Sequence, residues 1–407
     1  MNDTINYFSL PNGLRAVHYS CAGNVEYCGL SINVGSRDEA PGREGLAHFV
    51  EHTIFKGTSH RRSYHIVNRM ESVGGELNAY TSKEETVVYS CFPKGHLARA
   101  VELISDLVSS SVFPAAELER EREVVTDEIN SYLDSPADAV FDEFDDRIFA
   151  GSSLGHNILG TVESLSGLTS DICREYLSEW FVPGDMAFFY FGPSKLSDVE
   201  RVVSRYFRDM ESRRSPVNRS EPPVLAPFDE YLSLDCHQSH TLMGARIGGM
   251  GDPLRYAVSL LTNIIGGPGM NSLLNVALRE KRGLVYTVDA STVAYSDCGL
   301  FTIYFGCDHS DVKKCRRIVS DILNRIANDG ISPRLLERAK RQYIGQLAVA
   351  SENHEQMATG MGRSLLYRGH VNDPQETIER IMAITGDEML KAGAMLAPSG
   401  CSVLTLG

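Results

Sequence analysis

The chain has 407 residues, of which 43% are hydrophobic and 23% charged, and a formal net charge of −14. This composition describes a globular protein with room for two or more domains and a core that needs no covalent staples. The acidic balance excludes general nucleic-acid binding, which needs a basic face against phosphate.

The chain order opens with strand-like runs in YFSLPNGLRAVHYS (7–20), set either side of an Asn-Gly turn, and a third strand in VEYCGLSINVGS (25–36). A helix is predicted over 45–55. A second covers SYHIVNRMESVGG (63–75), closed by a glycine pair suited to a C-cap. NAYTS (78–82) and ETVVYSCF (85–92) read as strands, and HLARAVELISDLVSS (96–110) as an amphipathic helix. PAAELEREREVVTDEINSYL (114–133) is a helix led by Pro114, and MAFFYFG (186–192) a buried strand. No stretch of about 18 apolar residues stands as a membrane span. The start of the chain lacks a basic-then-apolar leader. Nine cysteines, an odd number without a C-x-x-C pair, argue against a disulfide framework and for a reducing, cytoplasmic setting.

Residues 210–230 hold four prolines among polar residues and read as a linker. Beyond it the order repeats. HTLMGARIGG (240–249) is a strand and DPLRYAVSLLTNIIGG (252–267) a helix. MNSLLNVALREKRGLVY (270–286) is a helix running into a strand. TVDASTVAY (287–295) and GLFTIYFG (299–306) are strands, followed by helices at 310–329 and 332–350. Self-similarity at a separation of roughly 210–220 residues implies two copies of one unit. The predicted class is α+β: two homologous α/β units in tandem, each an antiparallel-rich mixed sheet with helices packed on it. The units are placed at 1–212 and 231–407, joined through 213–230.

Within the first predicted helix stand His48, Glu51 and His52. Side chains four apart share a helix face, so both imidazoles can reach one ion. Two His, one carboxylate and a water form a catalytic zinc arrangement, with Glu51 placed to take a proton from the water. The spacing also fits three ordinary polar residues on a helix. Two features favour the metal. The surrounding positions are apolar (Leu46, Ala47, Phe49, Val50), so the imidazoles need partners. An ungapped match of the halves sets Val258, Leu261 and Thr262 opposite His48, Glu51 and His52, and Ala339 and Gln346 opposite Glu121 and Glu128. The polar set is replaced as a group, which suggests one site in one half.

The strings GLAHFVEHTIFKGT, GGELNAYTSKEETVVYS and EREREVVTDEI resemble the pitrilysin and mitochondrial processing peptidase family of zinc peptidases, with its inverted H-x-x-E-H motif. The likeness implies a zinc-dependent endopeptidase holding one Zn²⁺ per chain by His48, His52 and Glu128, the last 76 residues beyond His52. It implies Glu51 as general base and Glu121 as an outer partner of the ligands. Asn78, Ala79 and Tyr80 match the family's edge strand, where a peptide substrate adds by main-chain bonds. Arg279 and Tyr286, in LREKRGLVY, match a pair that meets substrate and stabilises an oxyanion. Leu273 departs from the arginine many relatives carry there. A two-unit member is expected to act as a homodimer enclosing a chamber for unfolded or short peptides. The other reading within the family is a non-catalytic structural or partner subunit.

Overall fold

The computed structural model describes residues 4–407. In the first half six strands form: β1 (Thr4–Ser9), β2 (Arg15–Ser20), β3 (Val25–Ile32), β4 (Glu76–Thr81), β5 (Thr86–Pro93) and β6 (Met186–Gly192). β1 and β2 are the predicted antiparallel hairpin. Gly13 turns the chain with φ 98°, a conformation that favours glycine. β3 does not follow as the third strand of a meander. β6 wedges between them, parallel to β2 and antiparallel to β3. Every residue of β6 is buried, and an apolar run of that kind is stable only where both faces are covered. The order is β1-β2-β6-β3-β5-β4, so β4 lies at an edge.

Alternation along β6 separates two cores. Met186, Phe188 and Tyr190 face helices Leu46–Thr53, Ser63–Glu71 and Leu97–Ser110. Ala187, Phe189 and Phe191 face helix His354–Arg368, which comes from near the end of the chain and packs on β6 and β3. Gly362 permits the close approach: a Cβ there would stand 2.5 Å from the Phe189 ring.

The second half repeats the plan with β7 (Asp229–Leu232), β8 (Ser239–Gly248), β9 (Val285–Ala294), β10 (Cys298–Cys307) and β11 (Ser402–Leu406), in the order β7-β11-β8-β10-β9. The two strand segments predicted around 283–295 are one strand, β9. The helix predicted before it is wound as a π-helical turn at Asn275–Glu280. On one face Met243, Ala245, Phe301 and Ile303 meet helices Arg255–Gly266 and Val312–Asp329. On the other, Leu242, Leu300 and Leu404 are covered by Val140 and Phe144 of helix Pro136–Ile148.

Two compact units result, neither continuous in sequence. The first comprises Met1–Ile129, His156–Arg219 and Ser351–Asn372; the second comprises Asn130–Gly155, Ser220–Ala350 and Asp373–Gly407. Residues 211–228 carry no helix or strand. Arg219 ties this stretch to the first unit through a buried ion pair with Asp38, 2.6 Å, and a bond to Asn33 Oδ1, 2.9 Å. Among the described residues no helix is long and apolar enough to cross a membrane.

Candidate metal centre

The motif helix, Leu46–Thr53, begins at Gly45 with φ 90°. A Cβ at Gly45 would meet the Leu159 carbonyl oxygen at 2.5 Å, so glycine is needed for space as well as conformation. The N–H groups of Gly45 and Ala47 donate to the buried carboxylate of Glu39, at 2.9 and 2.7 Å. These bonds satisfy donors that every helix start leaves over. His156 Nε2 lies 2.9 Å from the same carboxylate. Burial pushes the Glu39 carboxyl above its usual range, against the pull of His156 and the two amides. Leu46, Ala47, Phe49 and Val50 bury the apolar side of the helix.

His48 and His52 share one face, their ring centroids 4.5 Å apart. The next step of four reaches Lys56, in the 3-10 turn that continues the helix. Opposite runs the glutamate helix, Ala115–Leu133, with Leu118, Glu121, Val125 and Ile129 buried on its inner side. Glu128 Oε2 stands 3.7 Å from His48 Nε2 and 3.6 Å from His52 Nε2. One donor atom from each of the three lies within 4.8 Å of the others, and this is the one such group among the described residues.

Donors bound tetrahedrally to zinc at ordinary bond lengths sit about 3.3–3.6 Å apart. The His–Glu distances, 3.6 and 3.7 Å, fall at the upper end of that spacing and just beyond it, and exceed hydrogen-bond range. His48 is buried, and its Nδ1 has no hydrogen-bond partner. Burial, with the neighbouring His52, lowers its pKa to about 4, so the imidazole is neutral at physiological pH, as metal ligation requires. A zinc ion fits this donor set.

Around the trio, His52 Nδ1 lies 3.4 Å from Glu121 Oε2, and Glu121 Oε1 pairs with Lys56 Nζ at 2.6 Å. Such contacts fix the ring orientation and tautomer of a ligating histidine. Glu51 is half-buried beside Thr81 at the end of β4. Burial raises its carboxyl above the usual range, while Thr81 and His52 act against the rise.

Among the described residues β4 pairs only with β5, at the edge of the sheet. Leu77 and Ala79 pack on the core; Asn78 and Tyr80 point the other way, with Tyr80 edge-on to Tyr89 at 6.4 Å. The motif helix packs against this strand. Arg279 and Tyr286 belong to the second unit. Arg279 is exposed on the π-helical turn, and Tyr286 is 60% exposed at the start of β9.

In the second unit the positions matched to the motif hold no donor trio. Val258 and Leu261 are buried, Thr262 Oγ1 donates to the Val258 carbonyl at 2.9 Å, and Gln346 accepts from Asn263 at 2.7 Å. Sequence reasoning missed Lys56, Thr81, Glu39 and His156. Lys56 had a signal, since it extends the four-residue row of His48 and His52. The bond between Glu39 and His156 joins residues 117 apart through loops, and nothing in the pattern announces it.

Fold and donors together define a two-unit α+β protein whose first unit brings together a His-His-Glu donor group. Comparison with known proteins carries this further. Residues 17–162 match the family model for insulinase, peptidase family M16, and residues 167–343 the model for the M16 inactive domain. The chain is 31% identical to an uncharacterized zinc protease of Streptomyces coelicolor, over 95% of this chain and 86% of that protein. It is also 31% identical to one of Bacillus subtilis, over 93% and 92%. The chain belongs to peptidase family M16, as a half-length, bacterial-type member. Two solved structures share the fold: an M16 inactive domain from Pseudomonas fluorescens (TM-score 0.93, 18% identity, 99% and 98% covered) and a protease from Helicobacter pylori (TM-score 0.90, 17% identity, 99% of each).

Proposed function

We propose that this chain is a zinc-dependent endopeptidase for unfolded or short peptides. The observation that carries the reading is the trio of His48, His52 and Glu128, spaced for one tetrahedral ion beside a half-buried carboxylate at Glu51. When bound, zinc supplies Lewis acidity and makes a water nucleophilic near neutral pH. Glu51 takes the proton of the attacking water and returns it to the leaving amine, and its raised carboxyl pKa suits both steps. A peptide adding to the edge strand β4 is held through its backbone, next to Asn78, Ala79 and Tyr80. By family resemblance Arg279 and Tyr286 bind the substrate backbone and neutralise the developing oxyanion. The two-unit length supports a homodimer with one metal centre per chain, enclosing a chamber. The free cysteines support a cytoplasmic setting.

The test is digestion of a mixed peptide library by the zinc-loaded protein, with fragments identified by mass. Cleavage should stop with chelator and with Glu51→Gln, while that variant still carries about one zinc per chain. A zinc-loaded wild type that cleaves nothing, or a protein that takes up no zinc, overturns the reading in favour of a non-catalytic subunit.

A further inference from the structure

The second unit carries a cavity of about 600 Å³ beside the π-helical turn. Its volume lies in the ~300–1,000 Å³ range of ligand sites. Leu273, Val276, Ala277 and Ile318 form an apolar floor. The rim is basic: Lys281, Arg282, Arg325 and Arg338, against one carboxylate, Asp321. Arg282 is held at the rim by a bond to the Ala277 carbonyl, 2.6 Å. Among the described residues the side chains of Lys281, Arg325 and Arg338 make no ion pair or hydrogen bond. On a chain of net charge −14, three such cations at one cavity are an excess that the fold itself does not neutralise.

A smaller cavity adjoins through Asn271, Leu273 and Arg338. It is lined by Asn263, Ala339 and Gln342. Ala339 is the position matched to Glu121, and Asn263 bonds the Gln346 matched to Glu128. Where the first unit sets carboxylates and imidazoles around a candidate cation site, the second sets amides and a guanidinium around a small void. The polarity of the repeated place is inverted, from a cation site to one suited to an anion. Leu273 opens part of the floor to an apolar group.

We propose that this double cavity binds an acidic segment of a peptide, with carboxylates on the basic rim and an apolar side chain on the Leu273–Ile318 floor. The inference rests on the peptidase reading for its meaning, as a site that selects substrates carrying acidic segments away from the scissile bond. The cavity and its charges stand without that reading.

The experiment measures anisotropy of a dye-labelled peptide of alternating Glu and Leu, with a Lys/Leu counterpart as control, on the full-length metal-free protein. The acidic probe should bind at least tenfold more tightly than the basic one, and weaken as salt screens the charges. The triple variant Lys281→Glu/Arg325→Glu/Arg338→Glu should lose at least tenfold affinity, and the double variant Arg325→Lys/Arg338→Lys, which keeps all three positive charges, should retain it. Zinc uptake and cleavage of a short uncharged peptide should be unchanged in both. Equal binding of the two probes, or full binding by the charge-reversed variant, overturns the proposal. Displacement of the probe by equimolar inorganic phosphate overturns it in favour of a small-anion site, and equal binding of single-stranded DNA in favour of a general polyanion surface. Selective probe binding without cleavage of any peptide would retain this site and refute the peptidase.

Discussion

Replacing Glu121 by Gln isolates the contacts that hold a proposed ligand in place. The carboxylate, 9% exposed, has one oxygen 3.4 Å from His52 Nδ1 and the other 2.6 Å from Lys56 Nζ. Lys56 Nζ donates, and so does His52 Nδ1 in the tautomer that leaves Nε2 free to ligate. Glutamine keeps the shape but offers one acceptor and one NH₂, so whichever way the amide turns, a donor meets a donor. A hydrogen bond to a charged group is worth about 1.5–3 kcal/mol. Lys56 is about a quarter exposed, so solvent screening discounts its share. The remaining loss, about 1.4–2.7 kcal/mol, corresponds to zinc binding weakened 10–100-fold. Competition with a chromophoric zinc chelator near neutral pH measures it. Lys56→Met should shift the affinity in the same direction by less, because it frees one oxygen without removing the His52 contact. If Glu121→Gln binds zinc within twofold of wild type, the contact does not orient His52 and the reasoning fails.

Glu128→Gln should lower zinc occupancy after dialysis, since it removes the charged member of the trio; full occupancy would place the third ligand elsewhere. Arg279→Ala should keep its zinc yet lose turnover on a peptide, and wild-type turnover would remove Arg279 from the chemistry. Glu85 gives a pH prediction. Its carboxyl is 2% exposed, one oxygen lacks a hydrogen-bond partner, and burial raises its pKa to about 7, opposed by Arg363 at 3.6 Å. The folded state therefore binds more protons than the unfolded state between about 4.5 and 7. Stability falls as pH rises through that window, by up to about 3 kcal/mol once both states are ionised. Glu85→Gln should raise the melting temperature near pH 8 and leave it unchanged below about pH 4.5. An equal shift at both pH values would show that ionisation is not the cause.

How much of this is legible in the sequence depends on how far apart the interacting residues stand. His48 and His52 are legible because helical periodicity is local, and the helix forms where 45–55 predicts one. Glu128 is 76 residues away, and no local rule connects it to the motif; the family resemblance bridges the gap. The hairpin at Gly13 can be read from its turn. The insertion of β6 between β2 and β3 cannot, although MAFFYFG announces a strand buried on both faces. Which neighbours cover it is decided by side chains more than 150 positions away in the sequence, such as Tyr19 and Tyr27 beside Phe191.

Helices Pro136–Ile148 and His354–Arg368 show the same limit at the scale of a unit. An apolar stripe says that each helix covers something; it does not say which sheet. His354–Arg368 completes the first unit, and Pro136–Ile148 the second. The face that His354–Arg368 covers includes Val17, Val87, Phe189 and Phe191, all nearly or fully buried. Each such side chain is worth about 1.5–3 kcal/mol when removed from water. The sum is comparable to the whole stability of a domain, about 5–15 kcal/mol. The first unit therefore cannot be stable as the leading half of the chain alone. The same sheet carries β4 and supports the motif helix, so the geometry of His48, His52 and Glu51 depends on residues 351–372. A substitution on the inner side of that late helix, far in sequence from His48, His52 and Glu128, should therefore act on the donor group through the sheet.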